Sequence, residues 1–226
     1  MRVSEAIASR KTVRAFLPDP VPEETVRAIL TLAARAPSGG NLQPWKVHVL
    51  TGAARDELIR RVREKMPASP RGEGAEYHIY PPDLSEPYRT RRFRVGEALY
   101  ATLGIPREDK AGRLMQFVRN FEFFGAPVGM IFTIDRQMQQ GQWADLGMFL
   151  QNVMLLAREH GLGTCPQEAW AVWAKTIRDY LAIPDNEMIF CGMGMGRIDE
   201  AALVNRLETE RAPLEEYAVF RNTADG

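Results

Sequence analysis

After Pro22 the apolar residues fall on a helical period. Val26, Ile29, Leu30 and Ala33 share one face, Pro22 with Glu23 and Glu24 opens the helix, and Pro37 stops it. A shorter helix precedes it, with Ser4 as cap and Val3 as staple, running to about Arg10. "WKVHVLTG" alternates as a strand does, and "RDELIRRVREKM" has the spacing of an amphipathic surface helix. "PVGMIFTID", Pro127 to Asp135, is an unbroken apolar run and predicts a strand buried on both faces. From Trp143 to His160 the chain is apolar on nearly every face, the pattern of a central helix or of one in a subunit interface. "GLGTCPQEAW" reads as a glycine-punctuated turn, "WAVWAKTIRDYLAI" as a helix, and "EMIFCGMGMG" as a strand running into glycines.

Between these elements lies a long excursion. Residues 66–112 begin irregularly, with Tyr77, Tyr80 and Tyr88 among prolines and glycines, and then turn helical through "RTRRFRVGEALYATLGI" as far as Gly104. Loops of this length inside a domain usually serve function, so the segment is expected to be a flap over a site. The tail after about residue 200 carries Leu214, Tyr217, Val219 and Phe220 with little core of its own, and a partner subunit would give it somewhere to lie. No repeat or clean linker divides the chain, so a single α+β domain over residues 1–226 is expected.

Composition narrows the class. With 29 Lys+Arg against 29 Asp+Glu the net charge is zero, which argues against nucleic acid as the main partner. The longest apolar region is broken by Asp145, Gln151 and Asn152 and falls short of a membrane span, and the N-terminus has no secretory pattern. The two cysteines, Cys165 and Cys191, are too few for a disulfide framework and fit reduced thiols in a cytoplasmic protein. His48, His78 and His160 share no metal-ligand spacing with them, so no metal is expected; a Ser or Cys nucleophile stays open, though no G-x-S-x-G elbow occurs and Cys165, the one candidate thiol, reads first as a packed small residue.

The candidate chemistry lies in "RKTVRAF". Arg10, Lys11 and Arg14 are either a solvated helix end or half of an anion site. "GMGMGR" fails as a dinucleotide fingerprint because no helix follows it. A close backbone approach at a glycine such as Gly194, with Arg197, suits a monophosphate better.

"SRKTVRAF", then "ILTLAARAPSGGNLQPWKVHVL", "GLGTCPQEAW" and "GMGMGRID" stand in this order from Val3 to about Asp199. Together they resemble the nitroreductase family of FMN-dependent flavoproteins. The resemblance implies an α+β sandwich, a sheet containing antiparallel strands flanked by helices, and a homodimer with FMN at the subunit interface. It implies that Arg10 and Arg197 hold the FMN phosphate, with Lys11 beside them, and that Thr12 lies near the ribityl chain or phosphate. Arg14 would sit at the N1/O2 edge of the ring, where a cation stabilises the reduced flavin. Pro37, Ser38 and Gly39 would line the cofactor from the partner subunit, while Asn41 and Gln43 would hydrogen-bond the pyrimidine edge. Thr164, Cys165, Pro166 and Gln167 would lie along one ring face, with the backbone N–H of Glu168 at N5.

The implied activity is NADPH- or NADH-dependent reduction of a nitroaromatic, in a two-electron ping-pong cycle with hydride passing through FMN N5 and no catalytic side chain. Tyr88, Arg89, Arg92 and Phe93 of the flap would select substrate, with Trp170 or Trp173 assisting. The alternatives are a flavin reductase, dehalogenase-type or quinone-reducing enzyme of the same fold, or a flavin-binding protein without turnover.

Overall fold

The computed structural model describes residues 1–221; the last residues of the C-terminal extension expected from about 200 to 226 lie outside them. In chain order the elements are α1 (Val3–Ser9), α2 (Glu23–Ala33), β1 (Trp45–Thr51), α3 (Gly52–Lys65), α4 (Tyr88–Thr102), α5 (Lys110–Val118), β2 (Val128–Asp135), α6 (Gln140–Glu159), β3 (Gly163–Gln167), α7 (Ala174–Leu181) and β4 (Glu187–Gly196). The strands form one four-stranded sheet in the order β1-β2-β4-β3, every neighbouring pair antiparallel.

Strand periodicity divides the core between the two faces of this sheet. On one face Val128, Met130, Phe132 and Ile134 of β2 meet Val26, Ile29 and Ala33 of α2 and Leu146, Phe149 and Val153 of α6. On the other, Ile131 and Ile189 meet Leu58 and Val62 of α3, Ile177 of α7, and the side chains of Phe123, Trp170 and Trp173. Burial on both faces is why β2 is an unbroken apolar run rather than an alternating one. Each fully buried side chain of this size contributes about 1.5–3 kcal/mol, so the sheet between its two helical layers supplies most of the driving force.

Several local expectations need correction. The cap of α1 is Arg2, whose backbone N–H donates to Glu5 at 2.9 Å, and Ser4 lies inside the helix. The segment expected as a turn, "GLGTCPQ", is strand β3. It sits at the sheet edge, where Pro166 with its missing N–H is tolerated. The following "EAWAV" is a 3₁₀ turn, and α7 starts only at Ala174. Trp170 and Trp173 are fully buried core, closed off from any substrate.

The excursion is two different structures. Its first part is a strap pinned across the N-terminal half of β4. That half has no strand neighbour on the β3 side, because β3 pairs only with Gly192–Gly196. The strap supplies the missing partners: the Glu76 carboxylate accepts the Ile189 N–H at 3.0 Å, and the Tyr77 hydroxyl donates to the Phe190 carbonyl at 2.6 Å. Glu73 accepts from the Thr176 backbone and hydroxyl, both at 2.8 Å, fixing the strap to α7. The second part, α4, has no buried residue and packs against the turn at Leu203–Arg206.

Candidate functional site

The "RKTVRAF" segment leaves α1 at Arg10 as extended chain along the outer edge of β3. Thr12 bridges Thr164, and the Val13 N–H donates to the Thr164 carbonyl at 2.9 Å. Extended backbone sends alternate side chains to opposite sides. Val13 and Ala15 are buried, whereas Arg10, Thr12 and Arg14 are half-buried and share the other side. Neither guanidinium has an ion-pair partner among the described residues. Arg14 lies close enough to Cys165 for its charge to oppose the burial that pushes that thiol up to about 12. A thiol held there is inert and serves as packing.

Lys11, of opposite parity, turns away: its Nζ donates to the Asn205 carbonyl at 2.6 Å. That partner belongs to a residue the sequence did not single out. Asn205, buried in the 3₁₀ turn Leu203–Arg206, accepts the Arg14 N–H on Oδ1 at 2.8 Å. Its Nδ2 donates to the Ala15 carbonyl at 2.8 Å and the Asp199 carbonyl at 2.9 Å. The only trace in the sequence is a lone asparagine in a polar tail.

The end of β3 forms the adjoining wall. Thr164 and Cys165 are buried and Pro166 is half-buried. Gln167 is buried with Nε2 donating to the Asn120 carbonyl at 2.7 Å, which leaves its Oε1 a buried acceptor without a partner. Such an atom is costly unless a donor reaches it. Glu168 follows, half-buried, and burial holds its carboxyl above the ordinary carboxylate range.

Gly194 has a different role from the one expected. It lies in mid-strand, opposite Gly129 of β2 and Cys165 of β3, so its backbone groups belong to the ladder. A Cβ there would come within 2.8 Å of the Phe123 carbonyl oxygen, and one on Gly192 would come within 2.2 Å of Trp170 Cδ1. The glycines of "GMGMGR" are small because their neighbours leave no room for a Cβ: Trp170 at Gly192, the Phe123 carbonyl at Gly194 and Pro127 at Gly196. Arg197 is exposed and lines a cleft of about 320 Å³ with Leu17, Arg158, His160 and Glu200. Arg158, a further cation absent from the sequence reading, also donates from Nε to Ser9 Oγ at 3.3 Å, which sets this cleft beside the end of α1.

Pro37, Ser38, Gly39, Asn41 and Gln43 share one exposed loop before β1. Ser38 Oγ accepts the Gln43 N–H at 3.0 Å, the Gly39 N–H donates to Asp145 Oδ2 at 3.1 Å, and Asn41 and Gln43 have positive φ. This loop is not near the cations of its own chain. It meets α6 at Asp145, whereas α1 meets α6 at Arg158, and the thirteen residues between them span about 20 Å of helix.

On α4, Tyr88 and Phe93 are exposed, Arg89 pairs with Glu86, and the Arg92 guanidinium stacks on the Tyr80 ring at 4.0 Å. Arg91 pairs with Glu216 of the tail, so α4 and the tail hold each other above the turn that carries Asn205. Among the described residues no group of three or more His, Cys, Asp or Glu is placed to hold a metal, and no helix is long and apolar enough to cross a membrane.

This antiparallel sheet between helical layers, with paired arginines beside its edge strand, is the architecture of a known class. The chain belongs to the nitroreductase family, whose model matches residues 7–197. It is 40% identical over 222 residues to the chloronitrobenzene nitroreductase of Comamonas testosteroni, covering 96% of both chains. It is 42% identical to the 4-nitrobenzoate reductase of Pseudomonas putida, over 95% of this chain and 93% of that one. Among solved structures, the FMN- and NADPH-dependent nitroreductase NfnB of Sphigopyxis sp. strain HMH superposes with a TM-score of 0.96 at 46% identity, over 99% of this chain and all of that one.

Proposed function

We propose that the protein is an FMN-dependent oxidoreductase that uses NADPH or NADH to reduce nitroaromatic compounds. The observation that carries the reading is the half-buried face of Arg10, Thr12 and Arg14 beside β3, with two guanidiniums lacking anionic partners among the described residues. Full-length similarity to enzymes named for nitrobenzene and nitrobenzoate reduction supports the substrate class.

The donor set fits the cofactor. Arg10 and Thr12 offer charge-assisted and hydroxyl hydrogen bonds to a phosphate, and Arg14 offers a fixed positive charge to the pyrimidine edge of the ring. Pro166 and the Glu168 N–H are assigned to the wall that a flat ring would lie against, and the buried, unpartnered Gln167 Oε1 beside them supports a polar ligand there. FMN, when bound, supplies the two-electron carrier between nicotinamide and acceptor. The chain's own part is to bind, to orient and to stabilise charge.

The reading includes a homodimer. Pro37–Gln43 lies about 20 Å along α6 from the cation face. A second copy is the economical source of that loop, and the apolar exposure of Ile7, Leu32, Leu42 and Met148 suits such a contact. The exposed Tyr217, Val219 and Phe220 of the tail fit the same arrangement. α4, with Tyr88, Arg89, Arg92 and Phe93, is assigned to substrate selection.

The test is the visible spectrum of the purified protein, supplied with FMN and treated anaerobically with NADPH or NADH, then with nitrobenzene. Flavin bands that bleach and then return are expected. Failure to retain FMN sinks the cofactor assignment, and bleaching without return on nitrobenzene sinks the substrate class alone.

A further inference from the structure

Building on the flavin reading, we propose that Asn205 is the positioning residue of the site, setting the register and direction of Arg10, Thr12 and Arg14 toward the cofactor.

The segment from Arg10 to Ala15 is extended chain at a sheet edge, attached to β3 by the Thr12 bridge and one hydrogen bond from Val13. The far end is anchored where Phe16 bridges Ile198 and the Leu17 N–H donates to the Arg197 carbonyl at 2.9 Å, which leaves the middle to twist, and a local slip of one residue would send Lys11 and Val13 where Arg10, Thr12 and Arg14 now point. Asn205 removes that freedom from the other side. Its backbone carbonyl takes the Lys11 ammonium, its Oδ1 takes the Arg14 N–H, and its Nδ2 takes the Ala15 carbonyl. The Lys11 contact holds that side chain away from the cation face, and the Arg14 and Ala15 contacts fix the backbone that carries Arg14. The remaining Nδ2 bond, to the Asp199 carbonyl, ties the turn to the chain leaving β4, which itself returns to Ala15 through the Asp199 N–H.

Asn205 is 2% exposed, and its amide has both a donor and an acceptor to place. A buried amide whose oxygen and nitrogen are satisfied by Arg14, Ala15 and Asp199 specifies one geometry, since any other leaves a buried group unpaired. Asn205 touches neither cofactor nor substrate in this account; it acts through Arg14.

Four variants, with a fifth in reserve, test this, with FMN affinity and the midpoint potential of the bound flavin as readouts. Asn205→Ala should raise the FMN Kd at least tenfold and lower the potential, because the Arg14 charge is no longer held at one place. Val204→Ala, in the same turn and also buried, lowers stability while keeping every polar contact of Asn205, and should leave the FMN Kd within about twofold of wild type and the potential unchanged. Arg14→Ala should shift the potential in the same direction, and the double variant Asn205→Ala/Arg14→Ala should shift it little further, the non-additivity expected of residues acting as one unit. If Asn205→Ala does not fold, Asn205→Ser, whose shorter neutral hydroxyl cannot serve the Arg14 N–H and the Ala15 carbonyl together, should show the same directions with smaller size. An unchanged potential in the Asn205 variant, or additive shifts, overturns the proposal while leaving the flavin reading intact. A wild-type protein that takes up no FMN overturns both.

Discussion

The Glu76 carboxylate accepts the backbone N–H of Ile189 at 3.0 Å and at the same time pairs with Arg178 and Arg136. One side chain thus completes the exposed half of the central strand β4 and anchors the start of a long excursion to it. Glu76→Ala leaves Arg178, 17% exposed, and the Ile189 N–H without their acceptor. Removing one member of such a network costs about 3 kcal/mol, or a fall in melting temperature of roughly 6–12 °C for a chain of this size. Thermal unfolding checks it.

Glu187 is buried at the start of β4, which by itself pushes its carboxyl up, but the Lys46 ammonium and the Thr133 hydroxyl, each at 2.5 Å, together bring it below the ordinary value. A depressed folded-state value stabilises above the unfolded value of about 4.3 and is lost as pH falls through the folded one. In Lys46→Met the burial penalty gains ground and the lowering shrinks, with Thr133 and His48 left to oppose it. Urea unfolding should show the variant less stable by about 1–2 kcal/mol at pH 7, modest because Lys46 is half exposed, with the gap closing as pH falls below about 4. A gap independent of pH refutes this account.

The helices α2, α3 and α6 and the strands β1, β2 and β4 were legible because each buries a regular face, and burial is what periodicity records. β3 was not, since its five residues include Gly163 and Pro166, which read as turn. It exists because β4 on one side and Thr12–Val13 on the other supply its partners, both from distant sequence. The cation segment was visible as a cluster, yet nothing local told that Lys11 faces away from its neighbours. That sorting depends on Asn205, whose separation in sequence hides it. Gly194 misled for a related reason: a glycine required by Phe123 looks the same in sequence as one required by a phosphate.

Gly192→Ala separates those two meanings. The new Cβ would meet Trp170 Cδ1 at 2.2 Å, and Trp170 is fully buried and stacked on Phe123 at 4.4 Å, so neither ring has room to yield. The expected result is a loss of about 3 kcal/mol in stability. FMN affinity, measured where the variant is still folded, should change less than twofold. A folded, stable variant that has lost FMN would restore the glycines to the binding site.

Arg10→Ala should weaken FMN binding about tenfold or more, the value of one hydrogen bond between charged groups. Arg197 lines a cleft that Arg158 joins to the end of α1, so the double variant Arg10→Ala/Arg197→Ala is expected to purify colourless with an unchanged far-ultraviolet dichroism spectrum. Stoichiometric FMN in that double variant would return these arginines to the status of solvated charges.

The loop Pro37–Gln43 and the end of α1, which leads into the cation face, contact α6 at Asp145 and Arg158, about 20 Å apart on one helix. A two-fold dimer can bring one copy's loop to the other's cations, because an isologous interface places each patch against its counterpart. Subunit mixing then distinguishes a shared site from a private one. Ser38→Ala/Asn41→Ala removes the loop's hydroxyl and amide, including the Ser38 Oγ that fixes Gln43, and should lose FMN while remaining folded. Arg10→Ala/Arg14→Ala should do the same for the other half. When the two inactive variants are unfolded and refolded together, half of the dimers carry one copy of each. In every such dimer both lesions fall on one site and the other site is intact, so about a quarter of all sites should regain FMN and bleach with NADPH. If each site were built from a single chain, no site in the mixture would be whole and the sample would stay colourless.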